Sequence, residues 1–365
     1  MFSKDLIFMI KVLKNPYINI GLQQPGVPEI SLDVEAVNTL LKYCPKALKT
    51  PLVSEPSLAK KMGVSSLWFK DERNRMGLGS FKALGAAFVI AQEAAITKNK
   101  NSTNTEWSKT LSGRLFVSAS AGNHGLSIVA GAKVFGAKAV IYLSTAVPKS
   151  FGDRLRSYGA KVFISGETYE QSMDAAIDAA KTNGWTLLSD STWEGNYGGV
   201  NVMQGYLVAA QEACETCPEA PTHVFLQAGV GGFAAAMAGY IRKFFKAAPK
   251  IIIVEPEVAA ALLEAVNAGH LIDVGGEASS MGRLDCKIAS SAALESLTKT
   301  SNYFITLTDL EVEEILPILS QYGLETSPSG GAGFAAAYLA HKEKLFNLGN
   351  DSKILTFLSE GPIKT

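Results

Sequence analysis

Charge of one sign is what this sequence most lacks. Its 34 lysine and arginine residues are matched by 34 aspartate and glutamate residues, so no overall basic field draws it to nucleic acid. Cysteine is scarce, with only Cys44, Cys214, Cys217 and Cys286. Cys214-Glu215-Thr216-Cys217 has redox spacing, but it precedes Pro218 at an expected helix end. No second pair supports a zinc site, so no metal is expected. Low-complexity tracts and fixed-period repeats are absent. The uncharged run from Ala220 to Ile241 is long enough to span a bilayer, yet it holds His223, Gln227, Gly229, Gly231 and Gly232. That content suits a strand, a turn and a helix better than a membrane span. The N-terminal apolar run is broken by Asp5 and ended by Lys11, with no small-residue cleavage site after it, which argues against a signal peptide. A cytoplasmic protein with no membrane and no nucleic-acid partner is the expectation.

What is present is a chain of 365 residues, 47% apolar and 19% charged, long enough for two domains and a substantial core. Residues 1–50 carry Pro16, Pro25, Pro28 and Pro45 and read as a wrapping arm. Ser57 to Gly63 reads as a short helix ended by glycine, and Ser66 to Lys70 as a buried strand. After a helix from Ala83 to Ala95 and a polar loop from Thr97 to Lys109, strands and helices alternate. The strands are Arg114–Ala119, Ala139–Leu143 and Lys161–Ile164; the helices are Leu126–Phe135, Ser150–Tyr158 and Thr168–Lys181. The alternation resumes with Val224–Gln227, the helix Phe233–Phe245 and the strand Ile251–Val254, and Lys353–Leu358 is the last strand. This is the spacing of βαβ units, which calls for parallel sheets covered on both faces: an α/β fold.

Three turns carry the chemistry. Gly77-Leu78-Gly79-Ser80-Phe81-Lys82 puts a lysine at the start of an apolar helix, where the helix dipole disfavours a cation. A lysine held near positive partial charge in an apolar pocket becomes a usable amine nucleophile, although most lysines after such a turn are merely exposed. Ser118-Ala119-Ser120-Ala121-Gly122-Asn123-His124-Gly125 offers hydroxyls, an amide and several N–H groups before a helix, which suits a carboxylate. Taken singly, Asn123 reads as a helix cap and His124 as a structural histidine. Ala228-Gly229-Val230-Gly231-Gly232 follows a strand and can cradle a phosphate at a helix N-terminus. Ser327-Pro328-Ser329-Gly330-Gly331 is a further loop of this type, in which Ser329 can donate or accept one hydrogen bond. A dehydrogenase is the competing reading, because Glu255 ends a strand 24 positions after Gly231, near where a dinucleotide fold holds its ribose-binding acid. The third glycine of that fingerprint is missing, and Lys82 and the Asn123 turn stay unexplained by it.

Together these segments, from about Thr50 to Gly361, resemble the pyridoxal-phosphate enzymes of fold type II, the tryptophan synthase β-like family. Within it the resemblance is to diaminopropionate ammonia-lyases, carried by Phe69-Lys70-Asp71-Glu72, Phe81-Lys82, Asp190-Ser191-Thr192-Trp193-Glu194-Gly195, Gln227 to Gly231, Glu255-Pro256-Glu257 and Ser359-Glu360-Gly361. The resemblance implies two domains with a pyridoxal 5'-phosphate cofactor in the cleft between them. A large cofactor-binding domain is expected over 1–80 and 200–365, and a smaller mobile one over 81–199. A homodimer acting on a small amino acid is implied as well.

By the same resemblance, Lys82 links the cofactor and then moves the substrate's α-proton. Phe81, Asn123, Gly229, Val230, Gly231, Gly232 and Ser329 bind the cofactor, and Ser120, Ala121, Gly122 and His124 face the substrate. Asp190 meets the substrate's β-ammonium, against a plain reading as a helix cap in Asp-Ser-Thr-Trp-Glu. The implied reaction is β-elimination from 2,3-diaminopropionate, with serine, threonine and hydroxyaspartate dehydration as the alternative within the fold. A non-catalytic binding protein is the alternative outside it. The chain departs from the family pattern at Ala121, where an aspartate associated with the D-substrate is usual, so the L-form is the expected substrate. It also ends four residues after Gly361, sooner than the family pattern leads one to expect.

Overall fold

The strands read from the sequence are present and fall into two sheets. A computed structural model describes residues 10–42, 44, 46–101 and 106–362. The segment Met1–Met9, which bears the signal-peptide question, lies outside the described residues. In chain order the strands are β1 (Val12–Lys14), β2 (Leu52–Ser54), β3 (Ser66–Asp71), β4 (Leu115–Ser118), β5 (Lys138–Leu143) and β6 (Lys161–Ile164). They continue with β7 (Thr186–Leu187), β8 (His223–Gln227), β9 (Lys250–Pro256), β10 (Tyr303–Leu307) and β11 (Lys353–Leu358). Among the described residues no helix is long and apolar enough to cross a membrane.

The chain divides into two compact units, one of residues 1–32, 49–74 and 209–365, the other of 33–48 and 75–208. The first unit holds the seven-stranded sheet β1-β10-β9-β8-β11-β3-β2. Its five central strands are parallel, and β1 and β2 close its edges antiparallel. The central strands are apolar over nearly their whole length, as in Ile251-Ile252-Ile253-Val254, because helices cover both faces. The helix Pro328–Lys342 supplies Ala332, Phe334, Ala335, Ala336 and Leu339 to a core shared with Phe69, Phe225, Ile252 and Ile354.

The second unit holds the parallel sheet β6-β5-β4-β7. Val117, Ala119, Val140 and Ala176 form a small core there, joined by Tyr142, Met173 and Trp185. The helix Lys82–Asn101 packs beside the helices Asn123–Val134 and Gly199–Gly205.

Three expectations change. The helix that begins at Lys82 runs on to Asn101 rather than ending at Ala95, since no glycine or proline stands between Ile96 and Asn101 to stop it. Residues 1–50 are more than an arm: β1 pairs with β10, and Val34–Leu41 is a helix capped by Asp33, whose carboxylate accepts from the Ala36 N–H. Ser327 to Gly331 is not a loop. Ser327 caps the helix Pro328–Lys342, so Ser329 sits in its first turn, with proline at the first helical position.

Candidate active site

The lysine turn ends where expected, and Lys82 is the first residue of its helix. Gly77 and Gly79 both take positive φ in the approach, and the Ser80 hydroxyl accepts from the Lys82 N–H at 3.3 Å. The Lys82 side chain is only 21% exposed, and its ammonium pairs with the Asp190 carboxylate. Its other close neighbours are aromatic. Nζ lies 5.4 Å from the Phe81 ring centre and 6.0 Å from that of Tyr206. Those two rings meet edge to face at 4.9 Å. Two aromatic rings thus flank this lysine, and its charged partner is an acid rather than another positive group.

Asp190 follows β7, and no helix begins there; the next helix starts at Gly199 behind the Gly198 cap. The plain reading as a helix cap is thus replaced by the ion pair. Burial alone would raise the Asp190 carboxyl. The Lys82 ammonium, through its charge and its hydrogen bond, overcomes that and holds it below the usual carboxylate range.

His124 belongs to the same cluster. It is buried, its Nε2 lies 3.3 Å from the Leu188 carbonyl, and burial lowers its pKa against the pull of Asp190. Because a carbonyl only accepts, Nε2 carries the proton and Nδ1 a lone pair. Ser120, Ala121, Gly122 and Asn123 lie half-buried on the turn between β4 and the helix Asn123–Val134. Gly122 is that helix's cap residue and Asn123 its first residue, and the Asn123 carbonyl accepts from the Ser127 hydroxyl at 2.6 Å. Asn123 is therefore not the cap itself.

The remaining predicted residues lie in the first unit. Gly229 and Val230 are half-buried on the turn after β8, and Gly231 caps the 14-residue helix Gly232–Phe245 with φ of 95°. A side chain at Gly231 would be strained and would meet Ala293 and Leu262 at 3.1 Å. The backbone amides at this helix start and the positive end of its dipole form a ready anion cradle.

Ser329 is 3% exposed, and its Oγ accepts from the Arg283 N–H at 3.0 Å. That leaves the hydroxyl proton to donate. The segment Arg283–Cys286 also packs on the glycine turn, since a Cβ on Gly229 would meet Cys286 Sγ at 3.0 Å and the Arg283 carbonyl at 3.1 Å. One short segment thus supports both the turn and Ser329. Sequence reasoning missed it, because Gly282 to Lys287 shows neither periodicity nor motif. Tyr206 was missed as well; its only signal was an aromatic after Met203-Gln204-Gly205.

Glu255 is withdrawn from ligand binding. Its two carboxylate oxygens accept from the Leu262 and Leu263 N–H groups at 2.7 and 2.8 Å, and no part of it is exposed. It caps the helix Ala261–Ala268, which leaves no atom for a ribose. Burial pushes its carboxyl up to about 8 although both N–H groups oppose this.

The second unit thus supplies a partly buried amine nucleophile flanked by two aromatic rings. The first supplies an anion cradle and a buried hydroxyl donor; taken unit by unit, these are the kinds of group a phosphorylated aldehyde cofactor requires. Comparison with known proteins agrees. Residues 45–360 match the family described as pyridoxal-phosphate dependent enzyme. The chain is 35% identical over 238 residues to a diaminopropionate ammonia-lyase of Salmonella typhimurium, covering 61% of this chain and 59% of that one. It is 31% identical over 338 residues to the Escherichia coli enzyme of that name, covering 86% and 84%. The crystal structure of holo diaminopropionate ammonia lyase from Escherichia coli superposes with a TM-score of 0.84 at 25% identity, over 97% of this chain and 94% of that one. With both the residues and the family match in hand, this chain belongs to the pyridoxal-phosphate dependent enzymes of fold type II.

Proposed function

We propose that this chain is an ammonia-lyase that converts L-2,3-diaminopropionate and water to pyruvate and two ammonia. The observation that carries the reading is the partly buried ion pair of Lys82 and Asp190. A carboxylate held ionised in an apolar pocket is matched to a second ammonium on the substrate, which serine and threonine lack.

Pyridoxal 5'-phosphate, when bound through Lys82, supplies an electron sink for the substrate's α-carbon. The protein's residues do the rest. The amides of Gly229, Val230, Gly231 and Gly232 hold the phosphate at the start of their helix. The Ser329 hydroxyl would face the ring nitrogen as a weak partner, one that would leave this nitrogen unprotonated and favour elimination over transamination. Asn123 meets the ring hydroxyl and Phe81 packs beside it. The Ser120-Ala121-Gly122 turn takes the substrate carboxylate, with His124 behind it. Lys82, with its amine free, would take the α-proton at Nζ. Asp190 then orients the β-ammonium so that it departs as ammonia.

Ala121 brings no carboxylate to the turn, so the L-form is the substrate and the D-form is not. The reading extends to a cytoplasmic homodimer, carried by the family resemblance. The test is pyruvate and ammonia release from L- and D-2,3-diaminopropionate, alongside the visible spectrum of the purified protein. Turnover of the L-form alone is expected. Comparable turnover of both forms overturns the stereochemical assignment, and turnover of serine or threonine but not diaminopropionate overturns the substrate.

A further inference from the structure

Tyr206 has a place in this cluster that packing alone does not explain. The helix Gly199–Gly205 approaches the lysine helix closely because both carry glycine at the contact. A Cβ on Gly205 would lie 2.8 Å from Gly85 Cα, and one on Gly85 would lie 2.6 Å from the Tyr206 ring. Gly85 is one turn after Lys82, so the tyrosine ring lies over the first turn of the lysine helix and against Phe81. Phenylalanine would fill that space equally well. The hydroxyl is instead kept and buried; its oxygen faces the Lys82 ammonium, Asp190 lies within its field, and no acceptor takes its own proton. A buried hydroxyl without a partner is unfavourable, and burial raises its pKa, so it remains a neutral donor.

We propose that Tyr206 is a positioning residue whose hydroxyl takes over the Asp190 carboxylate whenever the Lys82 amine leaves it. The proposal rests on the reading above, in which Lys82 is used by the cofactor and then by the α-proton. Each use removes the partner of a partly buried carboxylate, which then needs another donor. His124 cannot serve, because its Nε2–H is held by the Leu188 carbonyl and Nδ1 offers only a lone pair. Tyr206 lies within the field of Asp190, its ring centre is 6.0 Å from the Lys82 Nζ that pairs with that carboxylate, and its hydroxyl proton has no acceptor. With Tyr206 in place, Asp190 stays ionised and aimed until a substrate β-ammonium arrives.

The test is Tyr206→Phe, which keeps the ring and removes the donor. The full-length protein loaded with pyridoxal phosphate is titrated with acid while its visible band is followed, without substrate. Loss of a donor to a carboxylate raises that carboxylate's pKa, so the acid-side transition of the band is expected to move up by about one pH unit. The acid limb of kcat/KM for L-2,3-diaminopropionate should move with it, while Tyr206→Leu loses cofactor retention as well. In an Asp190→Asn background the same Tyr206→Phe change should have no effect on either readout. An unmoved acid transition in Tyr206→Phe, or an equal shift in the Asp190→Asn background, overturns the proposal. Because the band titration uses no substrate, inactivity on diaminopropionate would overturn the substrate assignment and leave this test intact.

Discussion

Asp190→Asn separates a diamino acid from serine more cleanly than any other single change at this site. The substitution preserves shape and removes the charge that a β-ammonium would meet. A hydrogen bond to a charged group contributes about 1.5–3 kcal/mol, and each 1.4 kcal/mol is roughly tenfold in a rate ratio. The ratio of kcat/KM for L-2,3-diaminopropionate over L-serine should therefore fall by about 10- to 150-fold. Using the ratio removes losses common to both substrates, such as a misplaced Lys82 amine now without its partner. The assay is a coupled measurement of pyruvate at several concentrations of each substrate, with cofactor occupancy read from the visible band. If kcat/KM for both substrates fell equally, Asp190 would be acting on Lys82 alone and the charge-matching argument would be wrong.

Other outcomes follow from the geometry. Gly231→Ala puts a side chain on a residue at φ 95° and presses it against Leu262 and Ala293; it should lower stability by about 1–2 kcal/mol and weaken cofactor retention, read by denaturant midpoint and dialysis. Lys70→Met strands a carboxylate, because the Lys70 ammonium is fully buried and donates to Glu212 and Thr50, with Glu72 at 3.6 Å; about 3–5 kcal/mol should be lost, and an unchanged midpoint would refute the account. Burial lowers the pKa of both His124 and His223 from 6.5 in the folded chain. The unfolded chain then binds more protons, so their contribution is intact above pH 6.5 and is lost as pH falls through the folded values; urea midpoints should drop on acidification from that point. Glu255 runs the other way: its raised pKa of about 8 means its contribution is full below 4.5 and declines as pH rises through about 8, which midpoints at pH 7 and 9.5 will show.

Local signals account for what could be read from the chain. The parallel strands were legible because a strand covered on both faces is a short apolar run bounded by turns. Lys82, the Asn123 turn and the 229–232 turn were legible because each lies at a strand-to-helix junction, where glycine and small polar residues stand out against apolar neighbours. Asp190 was ambiguous for a local reason: Asp-Ser-Thr-Trp-Glu is also how a helix begins. Only the chain's return beside Lys82 resolved it into an ion pair spanning 108 positions.

Long-range contacts left no such signature. The segment Arg283–Cys286 supports Ser329 through one backbone N–H, and no residue type is required to supply an amide. Glu255 was ambiguous for the same reason, since a strand-ending acid suits a ribose and the N-terminus of the next helix equally. What decides is where Leu262 and Leu263 bring their N–H groups. Tyr206 is the instructive case. Its residue type is unremarkable in a sequence, and its role depends on two glycines, Gly85 and Gly205, letting two helices touch. The acid and the amine of this site were therefore visible as residues, but the groups that set their charge were visible only as neighbours in the fold.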